Sequence, residues 1–222
     1  MNCEQQLQHL SDHFRIIAID GAAGSGKTST AQMLSSRLRY AFVSTGDHYR
    51  TLAHHLSLCS IDPKEDVAIE HELHSIHITV HMEGRRERMC LNGAIFGEKE
   101  LHNERINGIV ADYARNLRLR AFLHRYQRQL PAIFLQSSLE GMVVEGRDVT
   151  SVVFPSASLR IFLCADLRNR VQRRRMEGIE DNIDERDRKD AVQLQKTDGI
   201  YVIDSTHMTL ENVVEHILTN LK

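Results

Sequence analysis

Gly21, Gly26, Lys27 and Thr28 stand at the spacing G-x-x-x-x-G-K-[ST] inside RIIAIDGAAGSGKTSTA, residues 15–31. Glycines at 21, 24 and 26 allow a loop whose backbone N–H groups ring a chain of phosphates, because no side chain blocks the approach. Lys27 should reach the β- and γ-phosphates, and the Thr28 hydroxyl should sit near Mg²⁺. Ser25 and Ser29 belong to the same nucleotide-binding stretch. A helix opening at this loop adds its positive N-terminal end. The chemistry these residues serve is the binding of a nucleoside triphosphate.

A second set of residues could receive what such a nucleotide gives. Thr45, Tyr49 and Arg50 follow a short apolar stretch, and the Arg50 guanidinium is a fork of donors suited to a phosphate. Arg147 and Asp148 end MVVEGRD, where a neighbouring cation and carboxylate could clamp a phosphate and orient an acceptor. Arg168, Arg170, Arg173, Arg174 and Arg175 crowd one short segment and repel one another unless anions meet some of them, as a triphosphate would. The segment NIDERDRKDAVQL then mixes acids and bases, as a charged helix closing over substrate would.

Strands must place these groups. Ile16–Ile19 is an apolar run suited to a strand buried on both faces, and Ala31, Leu34 and Leu38 give the next segment one buried helical face. Further strands are expected at Tyr40–Val43, Met142–Asp148, Leu159–Cys164 and Tyr201–Asp204, with a helix from about Asp47. Thr209 should cap a last helix with Leu210, Val213, Val214, Ile217, Leu218 and Leu221 on one face. Strands alternating with helices imply an α/β fold with a doubly wound, mostly parallel sheet, in which ligands sit beyond the carboxyl ends of the strands. Between about 62 and 100 the pattern changes: a helix to Ser75, then His77–Met82 and Glu87–Leu91 around Gly84, read as a small antiparallel insert. Residues 103–130 read as mostly helical up to Pro131, with most of their arginines solvated.

The totals narrow the classes. The 222 residues make one domain with room for an inserted lobe, and a formal net charge of −2 gives no global basic surface for nucleic acid. Any anion site must be local. Cys3, Cys59, Cys90 and Cys164 lack C-x-x-C spacing, so disulfides and a zinc ribbon are not expected, and a reducing cytoplasm fits. No apolar run approaches the roughly 20 residues that span a bilayer. His77, Thr79 and His81 alternate with Ile78 and Val80 as on the wet face of a strand, which argues against a metal there.

Taken in order, IAIDGAAGSGKTS, STGDHYR, VVEGRDVTSVVFP, LRIFLCAD and the later ERD resemble the bacterial cytidylate kinases over nearly the whole chain. The resemblance implies a P-loop NTPase-type three-layer core at 12–61, 101–174 and 195–222, a nucleoside-monophosphate insert at 62–100 and a short lid at 175–194. It implies transfer of the γ-phosphoryl group of ATP to CMP or dCMP with Mg²⁺, in a monomer. Carried over by motif, Gly21, Gly24, Ser25, Gly26, Lys27, Thr28, Ser29 and Arg170 would hold ATP. Thr45, Arg50, Arg120, Arg147, Asp148, Arg186 and Asp190 would hold the acceptor. Lys27, Arg147, Arg174 and Arg186 would act on the transferring group, and Thr28 would meet Mg²⁺. The chain departs from the family at Ser44, at Asp47 and His48, at Lys99, Glu100 and Leu101, and at Ala111, and its lid is short. These departures leave two other readings open: a kinase for another pyrimidine monophosphate such as UMP, and a nucleotide-binding regulator without turnover.

Overall fold

The structure is a computed structural model that describes residues 14–176, 183 and 198–221. In chain order its elements are β1 (Arg15–Gly21), α1 (Lys27–Leu38), β2 (Ala41–Ser44), α2 (Thr45–Leu58), α3 (Asp66–Ser75), β3 (Ile78–Glu83) and β4 (Arg86–Leu91). There follow α4 (Glu98–Leu101), α5 (Glu104–Tyr113), α6 (Leu117–Gln136), β5 (Gly141–Gly146), a π-helical turn (Val149–Val153), β6 (Leu159–Cys164), α7 (Leu167–Met176), β7 (Tyr201–Asp204) and α8 (Leu210–Thr219). The chain divides into two compact units, Met1–Phe42 with Pro131–Lys222, and Val43–Leu130.

In the first unit β1 runs parallel to β5 on one side and to β6 on the other, and β6 runs parallel to β7. Ile17, Ile19, Val143, Ile161, Leu163 and Ile203 from these strands meet Ala31 and Leu34 of α1 and Val213, Val214 and Ile217 of α8 in one core. Burying each such aliphatic side chain contributes roughly 1.5–3 kcal/mol. Thr209 caps α8 as expected, its Oγ1 accepting from Asn212 N at 3.2 Å.

The expected strand Met142–Asp148 is corrected at its end: β5 stops at Gly146, and the chain turns into the π-helical turn. Asp20 is the cause. Its carboxylate accepts from Val149 N at 3.0 Å, Thr150 N at 2.8 Å and Thr150 Oγ1 at 2.6 Å, diverting the backbone from the ladder. Arg147 and Asp148 therefore lie in a loop beyond the strand.

In the second unit β3 and β4 form the expected antiparallel hairpin, Ile78 opposite Leu91 and Glu83 opposite Arg86. His77, Thr79 and His81 are exposed, as their alternation implied. The helical stretch after residue 103 is broken once and extended once. Asn116 opens α6, its Oδ1 accepting from Arg118 N and Leu119 N while its Nδ2 donates to Asp66 Oδ1 at 2.7 Å. A side chain that serves the backbone in this way starts a helix rather than continuing one. Pro131 then lies inside α6, which runs on to Gln136. Of the arginines from 105 to 128, Arg120 is half-buried and the others are exposed.

Candidate active site

The phosphate loop leaves β1 at Gly21 and enters α1 at Lys27. Two close approaches explain its glycines. A Cβ on Gly21 would lie 2.2 Å from the Leu163 carbonyl oxygen, and one on Gly24, at φ +72°, would lie 2.7 Å from that of Arg170. Gly26, at φ 92°, is the residue before α1 and brings no side chain to cap it, and the first turn carries no acid. The N–H groups that open this helix therefore have neither a side-chain cap at Gly26 nor an acid in their own first turn, which suits an anion. Lys27 is buried and its Nζ donates to Ala22 O at 3.0 Å, so the ammonium folds over the loop. Thr28 and Ser29 are exposed on the first turn, and the Ser25 hydroxyl is buried without a hydrogen-bond partner. Glycine cradle, uncapped helix, ammonium and open hydroxyl fit a triphosphate with Mg²⁺.

Three arginines brace this loop. Arg147 Nη1 donates to Gly21 O at 3.2 Å. Arg170, buried on α7, donates to Ala165 O at 3.1 Å and Ala23 O at 3.2 Å. Arg173 reaches Ser25 O at 3.4 Å and bonds Ser205 through both its oxygen atoms, at 3.0 and 2.6 Å. The mutual repulsion of the α7 arginines is thus partly met by carbonyl oxygens of the chain itself. Arg174 is half-buried, and Arg168 and Arg175 are exposed.

Asp148 is buried beside this loop, and Asp20 was not singled out by sequence. Burial pushes the Asp20 carboxyl up, against the donors of Thr150 and Val149, and the charge of Asp148 adds to the rise. The one sequence signal for Asp20 was its place as the acid that closes an apolar strand.

In the second unit Thr45 is the buried first residue of α2, which begins two residues before the expected start near Asp47. Arg50, also buried, donates from Nη1 to Leu101 O at 3.0 Å and Asn107 Oδ1 at 2.7 Å. Arg120 donates to Ala114 O at 3.3 Å. Arg186 and Asp190 lie outside the described residues, as does most of the expected lid.

Two of the departures from the family pattern, Asp47 and His48, belong to a buried polar network. His48 Nε2 lies 2.6 Å from Glu87 Oε2, and Tyr126 donates to Glu87 Oε1 at 2.6 Å. Asp47 accepts from Arg86 at 2.7 Å and pairs with His102 at 3.0 Å. Burial alone would raise the Asp47 carboxyl, but the bonds from His102 and Arg86 outweigh it and hold it well below the usual carboxylate range. Sequence reasoning saw Asp47 and His48 as odd and could not see their partners, which lie some forty residues or more away.

A model of the cytidylate kinase family matches residues 17–222. This chain belongs to the cytidylate kinase family. A cytidylate kinase of Thermosipho melanesiensis is 34% identical over 221 residues, covering 93% of this chain and 96% of the relative. Another, from Alkaliphilus oremlandii, is 33% identical over 222 residues, covering 93% and 97%. Among solved structures, TT1252 from Thermus thermophilus superposes with a TM-score of 0.51 at 20% identity, covering 95% of this chain and 99% of that one. An uncharacterized protein from Eubacterium ventriosum gives 0.51 at 12% identity, covering 93% and 98%. These two likenesses concern the fold alone.

Proposed function

We propose that the chain transfers the γ-phosphoryl group of ATP to CMP or dCMP, giving ADP and CDP or dCDP. The observation that carries this reading is the uncapped start of α1 with Lys27 folded over its glycine loop, in a member of the cytidylate kinase family. Mg²⁺ on the donor phosphates would neutralise charge and fix their geometry, with Thr28 as its protein contact.

The chain's own residues have the remaining work. Phosphoryl transfer asks the protein mainly to align two substrates and to stabilise charge on the transferring oxygens. Gly21, Gly24, Ser25, Gly26 and Ser29 shape the donor site, and Arg170 holds it by its backbone bonds. Lys27, Arg147, Arg174 and Arg186 are assigned to the charge of the group in transit. Thr45, Arg50, Arg120, Arg147, Asp148, Arg186 and Asp190 are assigned to the acceptor. The departures at Asp47 and His48 are compatible with this assignment, since both side chains are committed to partners within their own unit.

No described helix is long and apolar enough to cross a membrane, and Cys59, Cys90 and Cys164 are free thiols. A monomeric cytoplasmic enzyme is the setting we assign. The test is an ADP-release assay over CMP, dCMP, UMP, AMP and GMP. CMP or dCMP should exceed the other acceptors by at least about tenfold in kcat/KM, a difference of about 1.4 kcal/mol in transition-state binding. Preference for another base would overturn the reading, and ATP binding with no transfer to any acceptor would favour the regulator.

A further inference from the structure

The last turn of α2 and the middle of α3 bring together three side chains that the nucleotide chemistry does not use. His55 lies in the last turn of α2, Cys59 is the residue that follows the helix, and Glu72 reaches them from α3. His55 Nε2 lies 2.7 Å from Glu72 Oε1, Cys59 Sγ lies 3.8 Å from His55 Nε2, and the same sulfur lies 3.9 Å from Glu72 Oε1. One nitrogen, one sulfur and one oxygen thus mark the corners of a small triangle. Around a tetrahedral zinc ion, whose bonds to such atoms run about 2.0–2.3 Å, neighbouring ligand atoms stand roughly 3.3–3.7 Å apart. The two sulfur edges are within a few tenths of an ångström of that. The nitrogen–oxygen edge, hydrogen-bonded without an ion, needs to open by about half an ångström.

Access and order are both provided for. The His55 and Glu72 side chains are 17% and 23% exposed, so their rotamers are held by their surroundings, while Cys59 is exposed and leaves an entry path. The two helices meet at this point through these side chains, so an ion here would tie the end of α2 to α3. That matters for α2 as a whole, because the same helix carries Thr45 at its start and Arg50 about one and a half turns on.

We propose that His55, Cys59 and Glu72 form a binding site for one zinc-class divalent ion, with water completing the fourth position. The donor set selects the ion: a thiolate is a poor ligand for Mg²⁺ or Ca²⁺, whereas mixed sulfur, nitrogen and oxygen ligands in a tetrahedron suit Zn²⁺. None of the three residues is among those assigned to the nucleotides. The site is also unlike His77 and His81, which the sequence showed on a wet strand face. No pattern in the sequence joined these three residues, because Glu72 lies thirteen residues beyond Cys59 on another helix.

The experiment uses the full chain, stripped of metal and titrated with Co²⁺ as a spectroscopic stand-in. One equivalent should bring up a thiolate-to-cobalt charge-transfer band together with visible bands of tetrahedral intensity. Zn²⁺ should displace the cobalt and Mg²⁺ should not. Cys59→Ser should abolish the charge-transfer band while Cys164→Ser keeps it. His55→Gln and Glu72→Gln should weaken Zn²⁺ uptake by more than the roughly 10- to 100-fold that loss of an outer contact costs. Circular dichroism of each variant guards against misfolding, and His55→Gln serves if Cys59→Ser does not fold. Failure of the parent chain to take up one equivalent, or an unchanged band in Cys59→Ser, overturns the site and leaves the triad as a helix-end hydrogen-bond set.

Discussion

Gly24 shows how narrowly one position can be constrained. Its φ of +72° is a conformation L side chains rarely adopt, and the carbonyl oxygen of Arg170 closes the space where a Cβ would go. Gly84, at φ +60°, has the same backbone hand but nothing within 4 Å. The backbone term alone costs roughly 1–2 kcal/mol for a non-glycine residue. Gly24→Ala must add to it the displacement of a backbone atom in α7. Urea unfolding should therefore find Gly24→Ala less stable than Gly84→Ala by at least about 1 kcal/mol, since forced overpacking costs about 1–3 kcal/mol. Equal losses in the two variants would show that the loop yields easily and that the glycine is kept for another reason. The neighbouring residues divide in a similar way between structure and chemistry. Arg170 and Arg173 spend donors on loop carbonyls, so replacing either would disturb the loop before any phosphate is bound.

At the scale of elements, the pairing of Asp47 with Arg86 and His102 ties the start of α2 to the head of β4 and to the residue after α4. Because the carboxyl is depressed in the folded chain, its contribution is present above its ordinary value of 3.8 and is lost as pH falls below that toward the depressed value. Asp47→Asn should cost about 1–3 kcal/mol at pH 7, where Arg86 exchanges a carboxylate at 2.7 Å for a neutral amide and keeps the longer 3.5 Å pair with Glu98. The gap between variant and parent should narrow as pH drops from about 4 toward 2, read as urea midpoints across that range. Parallel profiles would remove Asp47 from the account. This network also marks where sequence stopped being informative. The strands at Ile16–Ile19, Leu159–Cys164 and Tyr201–Asp204 were legible because apolar runs of strand length leave little choice, and the glycine-rich turn between β1 and α1 was legible because its residues are contiguous. The end of β5 was not, because it is fixed by Asp20, more than 120 residues earlier. The extension of α6 past Pro131 was not, because Leu119, Leu123, Leu130 and Phe134 bury one face of that helix across the proline. Arg50 was found as a candidate, yet its bonds to Leu101 and Asn107 depend on tertiary contacts that no local pattern encodes.

For the whole molecule, charge sets the terms of nucleotide binding. With 28 basic and 30 acidic side chains the net charge is −2, so the average field repels rather than attracts a triphosphate. At the proposed donor site, affinity would come from short-range donors around α1, above all the helix N-terminus and Lys27. Such binding should stabilise the folded chain by mass action. A non-hydrolysable ATP analogue with Mg²⁺ at 100 times its dissociation constant should add about 2.7 kcal/mol. For a chain of this length that corresponds to a rise of roughly 5–10 °C in Tm. Lys27→Ala removes the ammonium but leaves the glycines and the helix end in place, so at the same analogue concentration the rise should fall below about half of the parent's. The shift in the parent should persist in moderate salt, because contacts inside a loop are screened far less than a diffuse surface field. If Lys27→Ala kept the full shift, or if salt abolished it in the parent, the nucleotide would be held by surface charge and the loop would not be its site.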